Sequence, residues 1–139
     1  MSTTVKWLFN VSATNGPKLV PSGTLEVEAY ELIDTEVAGG GGTSTVTLPA
    51  ANEDLTLLMI TSSQYDEPDA GLLTYTINGG ATNIPLDASL CLVGKGAIEF
   101  LTAASGGSSD PAELEFTNNI GTAEDSVTIT IMVGRDAVS

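Results

Sequence analysis

The most regular stretch of this chain is Asp125-Ser126-Val127-Thr128-Ile129-Thr130-Ile131-Met132-Val133-Gly134, near its C-terminal end. Every second residue from Val127 to Val133 is a β-branched apolar residue. Because side chains alternate across a strand with period two, these residues fall on one face of an extended chain. Their restricted χ1 angles also suit a pleated sheet better than a helix. The stretch therefore predicts a β-strand with one face in a hydrophobic core.

Shorter stretches with the same alternation recur along the chain. We predict strands at 5–12, 24–33, 45–48, 54–62, 89–93, 97–102 and 113–117, and a hairpin from Leu72 to Leu86. Asn78-Gly79 supplies the positive φ angles that a tight hairpin turn requires. Residues 54–62 are apolar on both faces, which predicts a strand in the centre of a sheet.

No stretch shows a convincing helical period, and turn signals separate the predicted strands. The length of 139 residues is that of one domain with its own core. We therefore predict an all-β fold in a single domain, residues 1–139: an antiparallel β-sandwich or jelly roll of about eight to ten strands.

Glycine and polar residues predict the loops. Gly39-Gly40-Gly41-Gly42 lies in a predicted loop from Asp34 to Ser44, and four consecutive glycines lose so much entropy on ordering that a mobile loop or a hairpin tip is expected. Gly94-Lys95-Gly96 predicts a hairpin turn. The first residues, Met1 to Thr4, are expected to form a flexible N-terminal arm.

The charge balance excludes several classes of partner. The chain has 4 Lys or Arg residues against 18 Asp or Glu residues, a formal net charge of -14. Nucleic acids and anionic membranes attract cationic surfaces, so neither is an expected partner. A basic protein surface remains compatible with this charge. The chain has no basic segment followed by an apolar run at its start and no apolar run of about 20 residues, so we expect neither a signal peptide nor a membrane span.

No catalytic constellation stands out in the sequence. There is no His, so a Ser-His-Asp triad, a Cys-His pair and histidine metal sites are absent. Gly94-Lys95-Gly96 lacks both the spacing and the helix of a phosphate-binding loop. Pairs of distant carboxylates that strands bring together stay open. We predict that the chain is not an enzyme and has no catalytic residues and no cofactor.

The densest acidic cluster is Asp66, Glu67 and Asp69. Carboxylates on a loop are suitable ligands for calcium, but this spacing matches no calcium loop and Pro68 restricts the backbone. We interpret the cluster as solvated loop carboxylates and predict no metal site. Four further acids are predicted to face solvent on half-buried strands: Glu26, Glu28, Glu113 and Glu115.

The aromatic residues and the lone cysteine are predicted to lie in the core. Trp7 and Phe9 alternate on the first strand, and with only 5% aromatic residues the core is the favoured place for both. A sugar-stacking platform is the alternative, with Trp7, Tyr30, Tyr65 or Tyr75 exposed. Cys91 has apolar neighbours and is predicted to be an inert core thiol that forms no intrachain disulfide.

An acidic all-β chain without histidine or a disulfide, with Gly/Ser-rich loops and the strand from Ser126 to Gly134, resembles the small capsid cement (decoration) proteins of tailed bacteriophages. Some of these proteins are jelly rolls of this size. The resemblance covers overall architecture and composition and includes no diagnostic motif.

This resemblance implies a non-enzymatic structural protein of the virion, made in the host cytoplasm. It would bind the outer surface of the capsid as a homodimer or homotrimer and clamp neighbouring major capsid subunits. Met1 to Thr4 and the loop of Gly39 to Gly42 are its candidate arms. Two alternatives stay open: another virion module (a tail, baseplate or fibre protein), or a carbohydrate-binding β-sandwich.

Overall fold

The computed structural model describes residues 3–48, 53–67, 70–106 and 111–137. The one helix in these ranges is α1 (Lys95–Ala104). The strands are β1 (Thr3–Leu8), β2 (Val11–Ser12), β3 (Lys18–Leu19), β4 (Ser22–Val27), β5 (Ala29–Val37), β6 (Gly42–Thr47), β7 (Glu53–Ser62), β8 (Leu73–Ile77), β9 (Ile84–Pro85), β10 (Leu90–Val93), β11 (Glu113–Asn118) and β12 (Val127–Ala137).

Eight of these strands form a β-sandwich of two antiparallel sheets. The front sheet has the order β10-β7-β12-β5, and the back sheet has the order β6-β11-β8-β9. Apolar side chains of both sheets meet in one core, in which Ile129, Ile131, Tyr75 and Phe116 are among the largest fully buried residues. The predicted all-β sandwich fold is confirmed.

The last strand has the predicted role. Val127, Ile129, Ile131 and Val133 are all fully buried, whereas Thr128 between them is exposed. β12 pairs with β5 on one side and with β7 on the other. The strand β7 is central as predicted, because β10 covers its other edge.

The hairpin at Asn78-Gly79 also forms as predicted. Both residues have positive φ angles, 53° and 69°. The side chain of Asn78 adds a second function, because its Oδ1 accepts hydrogen bonds from the backbone N–H groups of Ala112 and Glu113 at 2.7 and 3.0 Å. This turn is therefore tied to the start of β11.

The four glycines form a packed turn, so the expectation of a mobile loop or arm there is wrong. Strand β5 continues to Val37, and β6 begins at Gly42. Gly40 and Gly41 have positive φ angles, and a Cβ atom on Gly39 would collide with the carbonyl oxygens of Ile120, Thr122 and Asp125. Glycine is required at this turn because the backbone of the 120–125 loop passes so close.

The helix α1 was predicted as a strand at 97–102, which is wrong. Gly94 precedes it with φ 97°, so Gly94-Lys95-Gly96 begins a helix and is not a hairpin turn. Ile98, Leu101 and Thr102 are its buried residues, at the spacing of one helical face. Six residues are too few to distinguish the period of this amphipathic helix from the period of a strand. In the described ranges, no helix has the length and hydrophobicity needed to cross a membrane.

Candidate protein-binding surface

The N-terminal segment 3–27 forms a long β-hairpin that lies outside the sandwich. β1 pairs with β4 from Thr3↔Val27 to Leu8↔Ser22, and β2 pairs with β3 at Val11↔Leu19 and Ser12↔Lys18 in the same register. A hydrogen bond of 2.9 Å from the N–H of Phe9 to the carbonyl oxygen of Pro21 joins the two ladders. We call this segment, 3–27, the hairpin arm. Of the predicted flexible arm, Thr3 and Thr4 are strand residues, and Met1 and Ser2 lie outside the described residues.

The constant register gives the hairpin arm two different faces. One face consists of the cross-strand pairs Val5/Leu25, Trp7/Gly23, Phe9/Pro21 and Val11/Leu19, all without a polar side chain other than the indole N–H. The opposite face carries Lys6, Leu8, Val20, Lys18 and Glu26 among hydroxyl and amide residues. We call the first of these the apolar face of the arm.

The base of the hairpin arm packs on the outer surface of the front sheet. Val27 and Leu57 are fully buried there, outside the sandwich core. They meet over Gly134, where a Cβ atom would lie 3.0 Å from Val27 Cγ1 and from Leu57 Cβ. Glycine in β12 therefore lets the arm approach the sheet closely.

Trp7 and Phe9 lie on the hairpin arm and are half-buried, so their prediction as core residues is wrong. Their ring centroids are 5.6 Å apart. The Trp7 ring covers Gly23, whose Cβ atom, if present, would be 2.8 Å from the ring. The alternation along the strand is as predicted, but these rings face the outer surface of the front sheet and not the core.

A row of apolar side chains crosses that outer surface. The strand register places Leu32, Met132, Met59 and Cys91 side by side on β5, β12, β7 and β10. Cys91 is half-buried at the end of this row, so its prediction as a core thiol is wrong. Burial raises the pKa of the Cys91 thiol, which keeps it protonated and less reactive.

Between the hairpin arm and this row lies a groove of about 230 Å³. Its walls are β1 from Val5 to Phe9 on one side and Leu57, Met59 and Met132 on the other. Carbon and sulfur atoms supply most of this lining, so the groove favours apolar side chains.

The tip of the hairpin arm leaves its apolar residues uncovered. Val11 is 63% exposed and Leu19 is 68% exposed, while Val20 is exposed on the opposite face. Residues 10–22 are exposed throughout. An apolar group that is bare on both faces of a projecting hairpin is typical of a protein-binding element.

The charge of the hairpin arm is opposite to that of the sandwich. The hairpin arm contains Lys6, Lys18 and one acid, Glu26. The arm carries +1, and the rest of the chain, with 17 acids and two cations, carries -15. The chain thus joins a cationic arm to a strongly anionic body.

The acidic loop has a structural role at Asp66. This residue is 5% exposed, so its interpretation as a solvated loop carboxylate is wrong. Its Oδ2 accepts hydrogen bonds from the N–H groups of Leu72 and Leu73 at 2.7 and 3.1 Å. It therefore positions the start of β8. Glu67 is exposed, and Asp69 lies outside the described residues. Within the described ranges, no three His, Cys, Asp or Glu side chains are grouped closely enough to hold a metal ion.

A second cleft lies on the back sheet, and its lining side chains are mostly polar. It has a volume of about 540 Å³ and is lined by Thr74, Thr117, Asn83, Asn119 and Asp87, together with Gly71 and Pro85. No aromatic ring takes part in this lining. A sugar-stacking platform is therefore not located at this cleft.

The four candidate stacking residues are also dispersed. Tyr75 is buried in the core, and burial raises its pKa to about 12. The hydroxyl of Tyr65 lies 2.6 Å from the Ser89 hydroxyl, and its ring packs on the core. Trp7 has one face on Gly23. Only Tyr30, at 53% exposure on β5, is open to solvent among the four.

Comparisons with protein-family models, with curated proteins and with solved structures find no match for this chain. The sequence alone also missed the hairpin arm as an element. One signal for it was present, because both N-terminal lysines lie in a segment that has no acidic residue. Such charge segregation within a strongly acidic chain marks a segment with a different environment.

Proposed function

We propose that this protein is a non-enzymatic structural protein of a virion, a decoration protein that binds the outside of a phage capsid and clamps neighbouring major capsid subunits. One observation carries the proposal. The chain projects a hairpin arm with bare apolar residues from an anionic sandwich. That combination suits a protein that joins other proteins, because bare apolar groups on a projecting element are binding features.

The charge of the body supports binding to a larger assembly. A net charge of -15 outside the hairpin arm makes free copies repel one another at long range and attracts them to a basic patch on a partner. Such attraction speeds the encounter and weakens as salt rises. Repulsion between free copies and attraction to a basic patch both suit a small protein that coats a shell.

The strand order supports the jelly-roll topology that the resemblance implies. Taken from β5 to β12, the chain passes repeatedly between the two sheets, and each sheet has four strands. The order β5-β12-β7-β10 opposite β6-β11-β8-β9 is the one expected for eight strands in two Greek keys. Fold alone does not assign function, so the proposal rests on the hairpin arm.

The two alternatives have different supports. A tail, baseplate or fibre module would also use a binding arm on a sandwich, and it differs only in the partner. A carbohydrate-binding sandwich would use an aromatic platform, but of the candidate rings Tyr30 alone is open and Tyr75 is buried. We therefore favour a protein partner over a glycan.

The test is sedimentation of the purified protein with expanded capsid shells of the source phage that lack decoration protein. We expect stoichiometric co-sedimentation, shells that resist heat better, and binding that weakens as salt rises. Purified tails and a glycan array are the parallel probes. Binding to tails or to glycans with none to shells would replace the proposal by one of the alternatives.

A further inference from the structure

We propose that the tip of the hairpin arm binds a second copy of this chain, in the groove between that copy's own arm and its front sheet. The inference deepens the proposed function and rests on it in one respect: neighbouring copies on a shell are held close enough to exchange arms. The body would bind the shell, and the arms would link copies to one another.

The tip has the shape and chemistry of an inserted element. Val11 and Leu19 are bare on the apolar face, and Val20 is bare on the opposite one. An element with apolar residues on only one side can bury them against a flat partner. A tip with apolar residues on both sides removes more apolar surface from water when it enters a cleft. The arm therefore calls for a receptor with two apolar walls.

The molecule contains such a receptor. The groove of about 230 Å³ has one wall from β1 and one from Leu57, Met59 and Met132. Next to it on β5, Leu32 is 66% exposed and continues the apolar row. The methionines on this wall adapt their shape to an inserted side chain.

Charge selects a second copy as the occupant. The residues of β5 that follow Leu32 on the same face are Asp34 and Glu36, and both are exposed. Lys18 is next to Leu19 at the arm tip, so an inserted tip brings this cation toward those carboxylates. A basic capsid patch that attracts the anionic body would repel the same cation. The acidic surface that lies nearest on a coated shell is the neighbouring copy.

A tip on one copy meets a groove on another. The contact is isologous if two copies exchange tips reciprocally, and it is heterologous if several copies close into a ring. In a closed assembly, every copy has both its tip and its groove occupied. The molecular mass of the assembly therefore reports which closure occurs.

The first experiment measures self-association of the purified chain by light scattering and sedimentation. Trp7 is the only tryptophan and lies in the wall of the groove, so its fluorescence reports filling of that groove. Salt is a poor variable here, because it screens both the Lys18 attraction and the repulsion between two anionic bodies. Matched variants are therefore compared at one salt concentration.

Two variants alter the tip, and two controls make the same change on the body. Leu19→Asp is expected to weaken self-association about tenfold or more, and Lys18→Glu about threefold or more. Phe100→Asp changes an apolar residue that is 76% exposed on α1, and Lys95→Glu makes the same change of net charge as Lys18→Glu. Both controls are expected to stay within about twofold of wild type.

A cross-link locates the contact. In the register of the front sheet, Cys91 is beside Met59, one strand spacing from the groove wall. Leu19→Cys is therefore expected to form an intermolecular disulfide with the native Cys91 under mild oxidation, and Cys91→Ala in the same chain is expected to abolish it. Phe100→Cys is the matched control and is expected to remain uncoupled.

The outcomes separate this inference from the proposed function. A wild-type chain that binds shells but stays monomeric at millimolar concentration overturns the inference and leaves the function standing. Self-association that Leu19→Asp removes, without any binding to shells, supports the inference and overturns the function. If Leu19→Asp abolishes shell binding while wild type is monomeric, the arm binds the capsid itself and the inference is wrong.

Discussion

The sandwich and the hairpin arm are built from the same period-two pattern, with opposite results. In β12, every second residue from Val127 to Val133 is buried in the core. In the hairpin arm, every second residue from Val5 to Val11 is apolar as well, but burial falls from the base to the tip. The difference lies in what is opposite each strand. A second sheet covers β12, whereas the arm has the outer surface of the front sheet at its base and solvent at its tip.

This comparison shows that alternation specifies which side of a strand is apolar, but not which part of the molecule packs on that side. A sheet face that meets another sheet becomes a core, and one that extends past its support becomes a binding surface. Four experiments test the contrast between the two regions, and the expected effects on the free energy of unfolding decrease from one to the next.

Replacing a core residue of β12 is expected to have the largest effect. Ile129→Asp places a carboxylate in the fully buried face and is expected to lower the free energy of unfolding by about 3 kcal/mol or more. The control is Thr128→Asp on the exposed face of the same strand. Denaturant titration measures both, and equal midpoints for the two variants would contradict the assignment of the faces.

Alkaline pH is expected to destabilise the sandwich through Tyr75. Burial raises its pKa to about 12 in the folded chain, against 10.0 for the ordinary group. The unfolded chain therefore loses this proton first, so the contribution is complete below pH 10 and is lost as pH rises toward 12, by about 2 to 3 kcal/mol. Tyr75→Phe should remove this part of the pH dependence. An unchanged alkaline slope in that variant would show that other groups cause it.

Adding one methyl group at the base of the arm is expected to have a smaller effect. Gly23→Ala puts a Cβ atom 2.8 Å from the Trp7 ring, so the ring must move, at a cost of about 1 kcal/mol. The Trp7 emission should shift with it. Gly96→Ala on α1 is the control, because no atom lies within 4 Å of its Cβ position, and it should be neutral or stabilising.

Changes at the arm tip are expected to leave stability almost unaltered. Leu19→Asp alters a residue that is 68% exposed, so the free energy of unfolding should stay within about 0.5 kcal/mol of wild type. A thermal melt or a denaturant titration checks this. A large loss of stability would mean that the tip packs on its own sandwich, and it would remove the contrast between the two regions.

The fold could be predicted well where a local pattern had only one outcome. The turn at Asn78-Gly79 formed because few other residues adopt two successive positive φ angles. The helix α1 could not be distinguished from a strand over six residues, and its start at Gly94 depends on how the chain leaves β10. Gly39 to Gly42 are ordered by the carbonyl groups of a distant loop, which no local pattern contains.

The candidate site could be predicted from the sequence only in part. Trp7, Phe9 and Cys91 were noticed as residues, but their environment was assigned to the core. Their true positions depend on the pairing of β1 with β4 and on Gly134, which admits the arm base to the sheet. These are long-range contacts, and composition around each residue does not specify them.

The sequence by itself determined the all-β class, the buried face of the last strand and the acidic surface, because side-chain alternation and charge are local properties of the chain. Only the tertiary structure decided that the segment 3–27 lies outside the sandwich as an arm. It also decided that a groove lies beneath this arm. The reason is physical: hydrophobicity requires that an apolar face be covered, and the packing of the whole chain determines which surface covers it.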